Sequence, residues 1–427
     1  MAKRSVAFIL LTALLAFAAC GTEKKNEEIP APGTVVGSEK QRLVVSAPPA
    51  DLKQAVAGQT DFAFDLYRQL ASEGSKNLFF SPYSVSVALS MTYAGAAGNT
   101  KKAFEDVFAS NLPADRFHRS MNDLDAQLSS RGQGAKAADG QPFRLKVANQ
   151  LFAQQDYTFE TPFLDTLAVE YGANVRLMDF VTAAEPSRIA INEWVEDKTE
   201  DRIKDLLPAG SITRDSRAVL VNAIYFNASW KVQFEESATQ NDAFHGVNGD
   251  KSVPFMRNGD LRVPNATVDG TELVELPYDG EELSMLVMMP PAGGLHALEL
   301  SLTNAKLADY RQALHHSALE LSMPKFEMTV STNLNEPLKN LGLGPAFDHA
   351  DFSAMSKVED LAISGVLHKA FVKVNEKGTE AAAATAVIVG ATSVPVTRPV
   401  VLNQPFVFAI IDKATAAVVF VGRVTEP

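Results

Sequence analysis

Cysteine is almost absent from this chain of 427 residues: Cys20 is the only one, so no disulfide can form within it. Basic residues are also in short supply. Thirty-nine lysines and arginines face 51 acidic residues, a net charge of −12 at pH 7, which argues against nucleic acid as a partner and mainly favours solubility. The chain lacks a Gly-x-Ser-x-Gly elbow, a His-Glu-x-x-His motif and a phosphate loop, and its seven histidines are scattered. Neither an enzyme, a metal centre nor a cofactor site is expected. His315-His316 reads as a solvated surface pair, and Gly132-Gln133-Gly134-Ala135-Lys136-Ala137 imitates a dinucleotide fingerprint without the preceding strand that such a site needs. No repeat of fixed period is visible, and no break in composition divides residues 60–427.

What is present begins with an address. Lys3-Arg4, an apolar stretch from Val6 to Phe17 and Ala18-Ala19-Cys20 have the three-part layout of a secretory signal, too short for a membrane span. This arrangement resembles a bacterial lipoprotein signal. It implies a signal peptide over residues 1–19, acylation of Cys20, and a protein tethered to a membrane at the cell envelope or surface, or otherwise extracellular. Residues 20–59 are polar and proline-bearing without a sustained apolar period, which predicts a flexible tether.

With 46% hydrophobic and 21% charged residues the remainder has ordinary globular composition. Thr60 is expected to cap the first helix, with Phe62, Leu66 and Leu70 on one face. Val85 to Ala94 reads as a buried helix ended by Gly95 and Gly98. Later segments turn to strand chemistry, at residues 217–226, 283–289, 368–374 and 406–411. Val407 to Ile411 and Ala417 to Val421 flank Asp412-Lys413-Ala414-Thr415 as a hairpin. One large mixed domain over residues 60–427 is expected.

The most informative stretch is Asn375-Glu376-Lys377-Gly378-Thr379-Glu380-Ala381-Ala382-Ala383-Ala384-Thr385. Small residues come first, and the β-branched Val387, Ile388 and Val389 follow. Alanine favours helices over strands, so an Ala-rich surface helix or loop is one reading. The other is a segment able to slot between two strands, with Thr379, Ala381, Ala383 and Thr385 facing inward at period two and Glu380 facing solvent.

Collinear motifs favour the second reading. Asn77-Leu78-Phe79-Phe80-Ser81-Pro82, Gly95-Ala96-Ala97-Gly98-Asn99-Thr100, Asn149-Gln150-Leu151-Phe152, Ile191-Asn192-Glu193-Trp194 and Leu220-Val221-Asn222-Ala223 occur in order. Trp230, Asp351-Phe352-Ser353, His368-Lys369, Pro405-Phe406-Val407-Phe408 and Gly422-Arg423 follow them. Together they resemble the serpin family of serine protease inhibitors over residues 60–427.

The resemblance implies an α+β fold with three β-sheets, eight to nine helices and an exposed reactive loop at about residues 376–397. A target serine protease would acylate itself on that loop. Insertion of the loop into the large sheet would then trap the protease, a move known for this family. Counting from Glu376 by the family's spacing puts the scissile bond at Thr392-Ser393, within a window, Val389 to Val394, of small or aliphatic residues suited to elastase-like or subtilisin-like pockets. A papain-like cysteine protease is a further target class. A non-inhibitory carrier or scaffold is the alternative function. Ser81, Ser84, Asn222 and His368 match the polar cluster beneath the point where the sheet opens. Trp230, Glu376 and Lys325 match the loop-entry region, with an ion pair expected between the last two. The protein is expected to be a monomer that forms loop-sheet polymers on heating.

Overall fold

The computed structural model describes residues 32–44, 46–72, 74–358, 361–379 and 397–427. Its centre is a seven-stranded sheet. In spatial order the strands are Thr34–Val36, Val175–Met178, Arg144–Gln154, Ala218–Ser229, Gly378–Thr379, Ile363–Asn375 and Phe326–Asn333.

Every residue of Ala218–Ser229 is buried because both faces of this strand are covered. Val219, Val221 and Ala223 pack with Ile191, Trp194 and Val195 of the helix Ala184–Lys198. Leu220, Ile224 and Phe226 join the larger core on the opposite side, where the helix Pro82–Tyr93 lies, buried along its whole length. The period-two alternation thus serves two apolar layers, which explains the near-continuous hydrophobic run.

Among the described residues nine further strands form a second sheet: Arg398–Val401, His315–Pro324, Gly249–Val268, Thr271–Pro277, Leu283–Met289, Phe406–Asp412, Val418–Val424 and Leu78–Phe80, with Gln240–Gly246 on the flank of Gly249–Val268. Three sheets were expected. The 20-residue strand Gly249–Val268 pairs with three neighbours and carries hydrogen bonding continuously through what would otherwise be two smaller sheets. The expected C-terminal hairpin is present and pairs from Phe406↔Val424 to Ile411↔Val418. Its core is aromatic, with the Phe79 and Phe420 rings stacked at 5.2 Å.

The expected tether is corrected by the structure from residue 32 onward. Thr34–Val36 is an antiparallel edge strand on Val175–Met178. Lys40 pairs with Asp165 at 2.8 Å, Arg42 with Asp125 at 2.6 Å, and the Ala47 amide donates to Asp123. The first helix runs from Pro49 to Ser72, so it begins eleven residues before Thr60. Proline suits the first helical position, and Asp51 in the first turn favours the helix dipole. Thr60 caps nothing: it is fully buried, and its hydroxyl donates to the Val56 carbonyl one turn back. The early half was hidden because it packs through small residues. At Gly58 a Cβ would lie 2.2 Å from the Phe108 carbonyl oxygen, so this close approach needs glycine.

Candidate functional site at the open end of the central sheet

Ala218–Ser229 and Ile363–Asn375 are parallel neighbours that pair directly only over part of their length. Pairing runs from Ile363↔Ala218 to Ala370↔Ile224. Beyond that point Gly378–Thr379 lies between them, antiparallel to both, with Thr379 opposite Val374 on one side and Ala228 on the other. The chain leaves Asn375, turns through Glu376-Lys377, and re-enters the sheet as the start of an additional strand.

Each side chain of the turn is held. Trp230 donates from its ring nitrogen to the Asn375 carbonyl at 2.9 Å and from its amide to the Lys377 carbonyl at 2.8 Å. The Phe234 amide donates to the Glu376 carbonyl at 2.8 Å. The expected ion pair is present, with Lys325 Nζ 2.9 Å from Glu376 Oε2, and Thr239 Oγ1 donates to Glu376 Oε1 at 2.7 Å. Burial alone would raise the Glu376 carboxyl, but its hydrogen bonds from Lys325 and Thr239 outweigh this and hold it below the usual carboxylate range. Lys377 is nearly buried and reaches Glu236 at 3.2 Å.

Gly378 has φ +153°, and a Cβ there would stand 2.1 Å from the Ala228 carbonyl oxygen. No other residue fits without moving the strand. Thr379 is 1% exposed, and its hydroxyl shares a 2.7 Å hydrogen bond with the Tyr278 hydroxyl. Tyr278 in turn stacks on Trp230 at 4.7 Å and meets the Phe226 ring edge at 5.0 Å. Tyr278 and Thr239 went unnoticed in the sequence. Leu276-Pro277-Tyr278 looks like the end of a core strand, and nothing local marks its hydroxyl as the hydrogen-bond partner of a distant threonine.

Lower in the sheet, the seam between the two central strands carries the polar cluster. His368 and Asn222 are directly paired residues, and Asn149 pairs with Asn222 from the other side. Ser81 and Ser84 come from below, at the start of the helix Pro82–Tyr93, where Ser81 Oγ caps by accepting from the Ser84 amide at 3.1 Å. His368 Nε2 accepts from the Ser81 amide at 3.1 Å, which leaves Nδ1 as the protonated nitrogen donating to Asn222 Oδ1. Asn222 Nδ2 reaches Ser84 Oγ and Asn149 Oδ1. Asn149 was seen in the sequence only as part of a motif, yet it completes the cluster. Burial lowers the His368 pKa to about 3, so the ring is neutral.

Cys20, Glu380, Ala381, Ala382, Ala383, Ala384, Thr385, Thr392 and Ser393 lie outside the described residues. Among the described residues no group of three or more His, Cys, Asp or Glu could hold a metal ion, and no helix is long and apolar enough to cross a membrane. His315 and His316 are exposed at the start of a strand.

The geometry is that of a sheet opened at one end, with a strand from the same chain already started in the opening. Comparison with known proteins gives this arrangement its class. The family model for serpins, serine protease inhibitors, matches residues 57–427. A leukocyte elastase inhibitor of Sus scrofa is 36% identical over 387 residues, covering 88% of this chain and 100% of that protein. A serpin-like protein of Thermococcus kodakarensis is 35% identical over 379 residues, covering 88% and 86%. Among solved structures, the thermophilic serpin tengpin in its native state superposes with a TM-score of 0.81 at 27% identity, covering 92% of this chain and all of that one. Uncleaved ovalbumin gives 0.78 at 28% identity, covering 88% and 100%. The chain belongs to the serpin family.

Proposed function

We propose that this protein is an irreversible, suicide-substrate inhibitor of serine proteases with small primary pockets. The observation that carries the reading is the seating of Gly378 and buried Thr379 between Ala218–Ser229 and Ile363–Asn375. The residues that follow, Glu380 to Thr385, are small apart from one charge, and at period two that charge falls on the outer face. A protease that cleaves at Thr392-Ser393 becomes esterified to Thr392. The freed segment then continues the strand that Thr379 begins, and the acyl-enzyme moves with it before water can hydrolyse the ester. Small and aliphatic residues from Val389 to Val394 fit elastase-like and subtilisin-like enzymes. Similarity to a protein named as an elastase inhibitor supports the same choice. A papain-like thiol protease would meet the same loop through a thioester.

Acylation of Cys20 places the inhibitor on a membrane outside the cytoplasm, and an opened seam can accept another molecule's loop, so gentle heating gives polymers.

The test mixes the purified protein with an elastase-like and a subtilisin-like protease, followed by a denaturing gel and intact mass. An adduct near the summed masses, with a released peptide beginning at Ser393, is the expected result. Clean loop cleavage without adduct for every protease would instead assign a non-inhibitory carrier or scaffold role.

A further inference from the structure

The tripeptide Asn-Gly-Asp occurs twice in this chain, at residues 248–250 and 258–260. An asparagine followed by glycine is open to attack on its side-chain amide by the next main-chain nitrogen, because glycine has no Cβ to obstruct the approach. In an unfolded chain two identical tripeptides react alike. The folded protein treats them differently.

Asn248 is held. It lies in the turn between Gln240–Gly246 and Gly249–Val268, where Gly249 pairs with Gly246, and its Nδ2 donates to the Glu426 carboxylate, which also meets Lys251. Asn258 stands instead at a bulge. It pairs with Leu321, and the next pair on that ladder is Leu261 with Leu319, so Gly259 and Asp260 together face the single residue Glu320 without a partner of their own. Among the described residues no strand besides His315–Pro324 pairs with residues 256–264. Gly259 and Asp260 are exposed, and a Cβ at Gly259 would meet nothing within 4 Å. Asn258 Oδ1 accepts from the Asp260 amide at 3.1 Å, while its Nδ2 has no hydrogen-bond partner among the described residues. The Oδ1 bond folds the side chain back along the main chain, across the intervening Gly259 nitrogen. It also supplies a donor where negative charge develops once the side-chain carbonyl is attacked.

We propose that Asn258 is a site of self-modification, where the folded chain converts the side-chain amide to aspartate or isoaspartate while Asn248 stays an amide. The Gly259 nitrogen loses its proton to solvent hydroxide and attacks Asn258 Cγ. The new N–C bond closes a succinimide ring, the Cγ–Nδ2 bond breaks, and Nδ2 leaves as ammonia with a proton from water, which regenerates hydroxide. Water then opens the ring: addition at Cγ gives aspartate, and addition at the main-chain carbonyl of residue 258 gives isoaspartate. One water is consumed and one ammonia released, with no oxidant or reductant. Either product adds a negative charge at the bulge, and isoaspartate routes the main chain through one extra methylene. Asn258, Leu321 and Val400 form one row of the sheet, and Arg398–Val401 pairs with no strand other than His315–Pro324 among the described residues. A longer main chain in that row loosens the hold on Arg398–Val401.

The experiment holds the full chain in mildly alkaline buffer, folded and in urea. It follows the two tryptic peptides that carry these sites for the mass gain of an amide-to-acid exchange, with isoaspartyl methyltransferase labelling to detect the iso form. In urea the two sites should convert alike. In the folded chain Asn258 should convert at least about tenfold faster than Asn248, which must first give up its hydrogen bond to a carboxylate. Gly259→Ala, whose Cβ has open space, should keep the thermal midpoint and suppress conversion at residue 258. In converted protein the Val400 and Val401 amides should exchange faster with deuterium than in fresh protein. Equal conversion of the two sites in the folded chain, or conversion at Asn258 undiminished by Gly259→Ala, overturns the proposal. Unchanged exchange at Val400 and Val401 in converted protein overturns its effect on that strand.

Discussion

Replacing Thr379 by arginine tests the insertion mechanism at its first inward residue. Thr379 is 1% exposed and hydrogen-bonded to Tyr278, with Ala228 and Val374 as its strand neighbours. None of these can pair a guanidinium. Seating the charge there costs several kcal/mol even after relaxation, so the segment stays out of the sheet. Leaving costs the native state about 1 kcal/mol, the net worth of the lost hydrogen bond. On the proposed mechanism, the outcome depends on a race between insertion and hydrolysis of the ester. A rise of about 3 kcal/mol in the insertion barrier slows insertion on the order of 100-fold, while hydrolysis by the protease is untouched. The variant should therefore behave as a substrate: cleaved at a normal rate, with the stoichiometry of inhibition raised at least tenfold. Thr379→Ser, which keeps the hydroxyl, should remain an inhibitor. The assay is titration of residual protease activity with a parallel gel for adduct. A Thr379→Arg protein that inhibits within twofold of the parent stoichiometry would refute the argument.

Other perturbations probe the same region. Gly378→Ala sets a Cβ 2.1 Å from the Ala228 carbonyl and should expel the strand start; in a Trp194→Phe background the fluorescence of Trp230, which stacks on Tyr278, should shift, and an unchanged spectrum would count against the close contact. Glu376→Ala leaves Lys325 and Thr239 without their shared acceptor and should lower the thermal midpoint and speed polymer formation, by an amount on the order of 1 kcal/mol because Lys325 is partly exposed; a calorimetric scan and native gels read both. Asn222→Ala strips partners from His368, Ser84 and Asn149 at once and should destabilise by about 2–4 kcal/mol, seen as a lowered urea midpoint. For pH, His368 and His118 are both buried and lowered to about 3; the unfolded chain takes up protons below about 6.5 while the native state does not, so stability is full above about 6.5 and falls by about 1.4 kcal/mol per unit per histidine down to about pH 3. Denaturation midpoints between pH 7 and 5 check this, and their constancy would show that these rings are not buried neutral.

Much of this site was legible because its residues are unusual for their surroundings. Glycine and threonine ahead of an alanine run, one of two tryptophans just after a β-branched strand, and a serine before Pro82 each ask for an explanation, and collinear motifs supply one. The seam partner Asn149 and the Thr379 partner Tyr278 were not legible, because a hydrogen bond between residues 73 or 101 positions apart leaves no local pattern. The N-terminal segment misled for a different reason. Thr34–Val36 is too short for alternation to show, and its hold on the body comes from Lys40, Arg42 and Ala47 meeting Asp165, Asp125 and Asp123. Those are tertiary contacts that a polar composition does not advertise. Pro49 to Thr60 packs through alanine, glycine and threonine, so its helical face carried little hydrophobic period.

The polar cluster under the seam divides unequally when its two sides are counted separately. Asn222 travels with Ala218–Ser229, and Asn149 on the adjoining strand goes with it, so those two amides stay bonded to each other. His368 travels with Ile363–Asn375, and the Ser81 amide still faces its Nε2. The bond between His368 Nδ1 and Asn222 Oδ1 joins the two strands directly, and Ser84, one turn from Ser81 on the helix below, holds Asn222 and Asn149 to the same helix start. Separation there severs one side-chain hydrogen bond, about 1 kcal/mol, besides the backbone ladder that pairs Ile363–Ala370 with Ala218–Ile224. If the seam opens as the insertion reading requires, the side chains beneath it offer a single direct link to break, and the resistance to parting lies in the backbone ladder.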